Sequence, residues 1–423
     1  MSIVRCLLVL LLLTTIGCGG GDGNGDPVGE WSGTVTTEGD VTTVVNESGS
    51  VWGGNVAFVE EASIGVDLGE DPYMLGQVRA LAVSDDEIYV LDQQVPAVRV
   101  YDLDGRHVRD LGAKGSGPGE FTEPDSMVIG PGGRIYVRDS RGARITIFSP
   151  AGEELGTIPL RGGFFTSAPM VITPNGTLYN RERISSDDPE SRVYGMVPRA
   201  LENDRSGDPF LPPDMGFDSA PWRLEARTEN MSMSSTVPFA PGIVWELAPS
   251  GAVVTGVSNE YSFEVRYPDG KVTRVVKPGD RVSVDPAEAD WQRKRVTAQM
   301  RRNVDTWIWN GEGVPAVKPA YQQFIADHSG RIWVVRPAAG SHVEGECTEN
   351  PQPGLPAEPC WRATTSWEVF DDEGRFLGGV DLPEGVGSSP EPYIRGDMFL
   401  APVTDDYGTT MVKRYRLEYP GAE

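Results

Sequence analysis

"DEIYVLDQQVPAVRVYDLDGRHV" (86–108) and "GRIYVRDSRGARITIFSPAGEEL" (133–155) align nearly position for position. Each reads as a strand of β-branched and aromatic residues, a turn after an Asp, a second strand, a turn at Gly and a third strand. A weaker copy, "GTLYNRERI", begins at Gly176, while "GAVVTGV" from Gly251, "GRIWVVRP" from Gly330 and "DMFLAPV" from Asp397 keep the first-strand pattern. "SFEVRYPDGKVTRVV" from Ser262 and "WEVFDDEGRFLGGVDLP" from Trp367 supply later strands of the fourth and fifth copies. The equivalent positions Tyr89, Tyr136, Tyr179, Val254, Trp333 and Phe399 are 47, 43, 75, 79 and 66 residues apart. Four strands in roughly 40 to 50 residues is the period of a propeller blade, so the longer spacings carry insertions.

Six units predict an all-β fold, a six-bladed β-propeller over 60–420. A ring needs one blade built from both chain ends. "ASIGVDL" (62–68) alternates as a strand ahead of the first complete unit and is expected to complete the sixth blade, whose own chain ends in "TMVKRYRLEYP" (410–420). A two-sheet sandwich explains neither the period nor the matching segments. The 51 Gly and 34 Pro, roughly a fifth of the chain, suit many short strands joined by turns.

The Gly-rich "GAKGSGPGEF" (112–121), with Lys114 inside it, invites a phosphate-loop reading. A Walker loop needs Gly-x-x-x-x-Gly-Lys-Ser/Thr opening a helix, whereas Lys114 precedes a Gly and the stretch leads through Pro124 into the next strand. The glycines are expected at positive-φ turns where the chain crosses between blades, with Phe121 as a plug between them. Asp92 and Asp139 recur at equivalent positions, which predicts side chains that bond the turn backbone rather than catalytic acids.

"GSGPGEFTEP…GRIYVRDSRGARITIFSPAGEEL" resembles NHL-type six-bladed propellers, and the stretch from about Trp52 to Tyr419 is similar to bacterial six-bladed β-propeller lipoproteins with NHL-like blades. The resemblance is carried by the first, second and fifth copies. It implies the fold and, since such propellers serve mostly as interaction platforms, it implies binding more than chemistry.

"MSIVRCLLVLLLLTTIGC" (1–18) has one basic residue, Arg5, and an apolar run to Leu13 that is too short for a permanent span. It reads as a signal peptide over 1–17. "TTIGC" resembles the lipobox of bacterial lipoproteins, which makes Cys18 the lipidation position; Thr15 departs from the usual Leu, and a plain secretory signal is the alternative. A Gly-rich tether follows over 18–30, then an N-terminal extension over 31–59 that is partly β. Cys347 and Cys360 close a Pro-rich loop in a chain bound for an oxidising compartment and are expected to form a disulfide worth about 3 kcal/mol. The expected location is the bacterial cell envelope, periplasmic or outer-membrane-associated.

With 37 Lys plus Arg against 62 Asp plus Glu, the formal charge is −25. Such a surface repels phosphate backbones and anionic headgroups, so no nucleic-acid partner is expected and membrane contact is expected through the lipid only. "DPAEADWQRKRVTAQMRRN" (285–303) is the one convincing helix, inserted near 286–302: Asp285 caps it, Pro286 suits its first position and Glu288 resembles a capping-box partner. Arg293, Lys294, Arg295, Arg301 and Arg302 make it a basic island, read either as a solvated face or as a docking surface for an acidic partner.

Alignment from the "IYV" positions puts Arg79, Asp125, Gln322 and Glu391 at the starts of inner strands, where side chains converge on the central channel, with Ile243 and the Ala168–Pro169 pair in the other blades. Such a ring either binds a small polar ligand or satisfies itself by ion pairs. Three histidines, His107, His328 and His342, leave little room for a zinc site, and no Gly-x-Ser-x-Gly elbow appears. No cofactor, catalytic residue or metal ligand is predicted, although channel carboxylates leave room for a divalent metal. The expected function is a monomeric, membrane-anchored binding platform for an envelope protein or small polar ligand. The alternatives are a lactonase-like, metal-dependent hydrolase or lyase in the channel, and a TolB-like structural scaffold of an envelope complex.

Overall fold

The computed structural model describes residues 30–420 apart from 161–167, 185–192, 201–206, 229–230, 280 and 344–359. The signal peptide, Cys18, Cys347 and the Cys360 side chain lie outside the described residues, and with them the expected anchor and disulfide.

The chain folds as a six-bladed propeller. Blade I is an antiparallel meander of Val78–Val83, Glu87–Asp92, Ala97–Asp102 and His107–Leu111, and blade II repeats it with Pro124–Ile129, Ile135–Asp139, Arg144–Phe148 and Glu154–Pro159. Registers match: Tyr89 faces Ala82 and Tyr136 faces Val128. Blade V is equally regular, with strands Gln323–Ala326, Ile332–Pro337, Thr365–Phe370 and Phe376–Val380.

The repeated aspartates act as the sequence predicts. Asp92 accepts from the backbone N–H groups of Gly76, Gln77, Gln94 and Val95 at 2.8–3.3 Å. Asp139 accepts from Thr122, Glu123 and Gly142 at 2.8–2.9 Å. Both are fully buried, so each carboxylate staples the entry of the inner strand to the turn after the second. Phe121 is completely buried between blades I and II, edge-on to Phe148. Gly112, at φ +73°, is required there: an added Cβ would stand 2.3 Å from the Phe121 ring.

Closure differs in position from the expectation. The N-terminal strand that completes blade VI runs Ala57–Ile64 beside Thr410–Glu418, sharing only 62–64 with the expected 62–68. Gly65, at φ +125° and pressed against the Thr410 carbonyl, turns the chain away where the pattern continued to suggest strand.

The uniform four-strand blade also has two exceptions. Among the described residues blade III has three strands, Val171–Ile172, Leu178–Ile184 and Val193–Arg199, with a single bridge from Met196 to Phe210 at its outer edge. Blade IV has six. Its meander Ile243–Leu247, Val253–Val257, Ser262–Arg266 and Val272–Val276 is extended by the N-terminal hairpin Ser32–Glu38 and Val41–Ser48, the latter pairing parallel to Val272–Val276. Asn46 stitches this hairpin to blade V, accepting from the Phe376 N–H at 2.7 Å and donating to the Gly374 carbonyl at 3.0 Å. The Trp52 N–H then bonds the Leu377 carbonyl. The partly β extension is therefore a belt across blades IV, V and VI.

Buried apolar clusters fill the seams between blades, but unequally. Tyr89, Leu91, Val100, Phe121, Val137 and Phe148 are among those between I and II, whereas the III–IV seam has only Met196, Leu247 and Val253 among the described residues. Insertions on either side of blade IV meet in a satellite. Hairpin Arg223–Arg227 and Ser232–Thr236 packs Leu224 and Ala226 against Val296 and Met300 of the helix Pro286–Arg301, with Trp307 between them.

Asp285 caps the helix as expected, accepting from the Ala287 N–H at 2.7 Å. Glu288 does not close a capping box. It is buried and pairs with buried Lys318 at 2.8 Å, because a buried ammonium needs a carboxylate more than a helix terminus does.

Candidate functional site

The inner strands enclose a central channel of about 2200 Å³. All four residues expected there line it, and so do Ile243, Ala168 and Pro169. A β-bulge explains two of them. The ladder slips between Val78 and Ala80 and again between Pro124 and Ser126, leaving Arg79 and Asp125 as the extra residues that point out of register.

Their environments differ. Arg79 is exposed to the channel without a hydrogen bond or ion pair among the described residues. Asp125 is tied into the wall: it accepts from Arg138 Nε at 2.7 Å and from the Ser140 hydroxyl. Arg138 in turn donates to Asn180 Oδ1 at 2.8 Å, and Asn180 donates to Glu182, which holds Arg199. This buried chain joins blades II and III, so Asp125 belongs to structure. Gln322 donates its backbone N–H to the Val335 carbonyl. Its neighbour Gln323 donates to Glu391 Oε1 at 2.9 Å.

Two glutamates dominate the electrostatics. Glu391 is held in the wall of blade VI, where burial pushes its carboxyl up to about 7 against the lowering effect of the Gln323 bond. Glu246, on the inner strand of blade IV, is raised well above the usual range by burial and then by the negative charge of Glu391. The Ala326 N–H donates to it at 2.9 Å, opposing the rise. Both keep some surface open to the channel, and neither has a cationic partner among the described residues. Farther along the wall, His328 stacks on Tyr393 at 4.5 Å and is held below its ordinary value, chiefly by burial.

Sequence reasoning missed Glu246 and Arg181. Glu246 was legible as a carboxylate inside "IVWEL", three residues after the aligned Ile243. Arg181 lies on the second strand of blade III, yet it reaches the channel because the inner strand there is only Val171–Ile172. Its guanidinium stands 5.6 Å from the centre of the Trp245 ring. Burial lowers its pKa, and no hydrogen bond or ion pair holds it among the described residues. The same repeat position is Leu91 in blade I and Arg138 in blade II.

The basic helix spends its charges close at hand. Arg293 stacks over Trp309, Lys294 pairs with Asp290 at 2.6 Å, Arg295 bonds Gln292 and Arg301 donates to the Trp307 carbonyl at 2.9 Å. Arg302, at the helix end, donates its backbone N–H to the Ala298 carbonyl. Among the described residues, no three His, Cys, Asp or Glu side chains converge in a group able to hold a metal ion.

A family model described as DUF5128, 6-bladed beta-propeller, matches residues 69–198. No curated protein matches the chain. Similar solved structures include a Bacteroides fragilis protein thought to be exported, 12% identical with a TM-score of 0.46, the match covering 86% of this chain and 95% of that one. A DUF4221 member from Bacteroides vulgatus is 11% identical with a TM-score of 0.45, over 86% of this chain and 99% of that one. A streptogramin B lyase is 10% identical with a TM-score of 0.36, over 86% and 98%. The fold of this chain is a six-bladed β-propeller.

Proposed function

We propose that this protein is an exported, lipid-anchored receptor that binds a small polar ligand in its central channel. The observation that carries this reading is the channel itself: about 2200 Å³, with Arg79, Arg181, Glu246 and Glu391 in its wall and no ion-pair partner for any of the four among the described residues. Unpaired charge in a concave, partly dry wall is costly unless a ligand or water satisfies it, which is the usual character of a binding site. The involvement of Arg293, Lys294, Arg295 and Arg301 in contacts within the satellite favours the channel over the helix as the docking place. Export and anchoring rest on the apolar run to Leu13 and on Cys18 after Gly17.

The test is thermal melting of the purified protein with succinate, spermidine, glucose, adenosine monophosphate, alanine and trialanine. At least one compound is expected to raise the midpoint, and Trp245→Ala to abolish the rise. A melt unmoved by every compound, or a shift that Trp245→Ala leaves intact, overturns the channel reading. For the anchor, Cys18→Ala is expected to release the protein from membranes and to remove labelling by a palmitate analogue; unchanged labelling would reject Cys18.

A further inference from the structure

The repeat exposes an orphaned charge. In blade II, Arg138 at its repeat position is neutralised by Asp125, the bulged residue opposite, at 2.7 Å. Val171 faces Tyr179 as Val128 faces Tyr136, so counting back from Val171 sets Ala168 where Asp125 stands. Blade III therefore keeps the arginine, as Arg181, and lacks its acid. Nothing else in the wall replaces it: Arg181 has a Trp245 face beside it and Tyr194 near it, and no carboxylate within bonding reach among the described residues.

The opposite imbalance lies one strand farther round. Trp245 and Glu246 are consecutive on the inner strand of blade IV, so their side chains leave opposite faces of it, Trp245 toward Arg181 and Glu246 toward the Ala326 N–H of blade V. Glu246 and Glu391 then face the same channel with no cation of their own. A simple anion drawn to Arg181 is repelled by the two glutamates in their ionised form, the form that a neighbouring ammonium favours, and a simple cation is repelled by Arg181. The complement of both is one molecule carrying both charges.

We propose that the channel ligand is a zwitterion, an amino acid or short peptide, with its carboxylate on Arg181, its ammonium group on Glu246 and Glu391, and its apolar part along Trp245. This rests on the channel being the ligand site. A guanidinium pairs with a carboxylate through two parallel N–H bonds, and an ammonium has three donors for two carboxylates. Arg181 and Glu246 lie on opposite sides of the inner strand of blade IV, so the ligand has to span that strand.

The experiment titrates alanine, trialanine, N-acetyl-trialanine and trialanine amide calorimetrically into the full-length protein in detergent. Trialanine is expected to bind, and each capped form to bind at least about tenfold more weakly. Arg181→Met is expected to bind trialanine and its amide equally while still discriminating against the acetylated form. The double variant Glu246→Gln with Glu391→Gln is expected to do the reverse. These selective losses separate charge recognition from misfolding, which would erase both preferences together; Arg181→Lys, which keeps the charge, is expected to retain part of the preference for the free acid. Equal binding of the capped and free peptides overturns the assignment. So does failure of alanine and trialanine to bind while succinate, spermidine, glucose or adenosine monophosphate does, and in that case channel binding stands. If no compound binds, both readings fall.

Discussion

The seam between blades I and II and the region where blade III meets blade IV start from the same repeat and end unlike each other. In the first, a full set of strands buries Leu91, Val100, Phe121 and Val137, and the Asp staples hold each inner strand in register. In the second, the Asp position has become Glu182, which holds Arg199 and Asn180 instead of the backbone, and the inner strand has shrunk to two residues. Leu91 and Arg181 stand at one repeat position, yet one is core and the other lines a cavity. Regular copies make a tight ring; the divergent copy opens its wall and leaves a guanidinium facing the cavity. Where a repeat loses apolar packing, polar groups must either find one another or face solvent and ligand.

Four substitutions probe that contrast, the largest effect first. Arg199→Met leaves buried Glu182 without its ion-pair partner and is expected to cost about 3–5 kcal/mol, read as a lower urea midpoint. A cost under about 1 kcal/mol would show that the network of blade III is not what replaces the missing staple. On the regular side, Asp139→Ala orphans the N–H groups of Thr122, Glu123 and Gly142, for an expected loss of about 3 kcal/mol in the same measurement.

Glu391→Gln should act with the opposite sign. Its folded carboxyl titrates near 7 rather than the usual 4.5, so between those values the folded protein binds more protons than the unfolded chain. Its contribution to stability therefore falls as pH rises through that window and stays low above it. The variant is expected to be about 1–3 kcal/mol more stable than the parent at pH 8 and nearly equal to it at pH 4.5, while its amide oxygen can still accept from Gln323. Urea titrations at the two pH values check this, and a gain independent of pH would contradict it. The smallest effect is at the satellite: Asp285→Ala removes the bond to the Ala287 N–H, for about 1 kcal/mol, and is expected to leave the channel compounds binding as before.

Much of the fold was legible because period, turn glycines and strand composition are local properties. The six equivalent positions all fall on second strands, and Asp92, Asp139, Phe121 and Pro124 act as their places in the repeat predict. The closing strand was placed five residues late because alternation continues past Ile64, and only contact with Thr410 shows that Gly65 ends it. The belt over blade IV was not legible, since a parallel pairing between Val41–Ser48 and Val272–Val276 joins residues more than two hundred positions apart.

The sequence by itself determined the number of blades, the residues at the channel-facing strand starts and the capped helix, each written in a short window by spacing and side-chain type. Tertiary structure alone decided which of those charges are available. Asp125 is neutralised by Arg138, whereas Arg181, Glu246 and Glu391 are left facing one cavity. Whether a charge is paired depends on what the other blades bring within about 4 Å, and that distance exists only once the ring has closed.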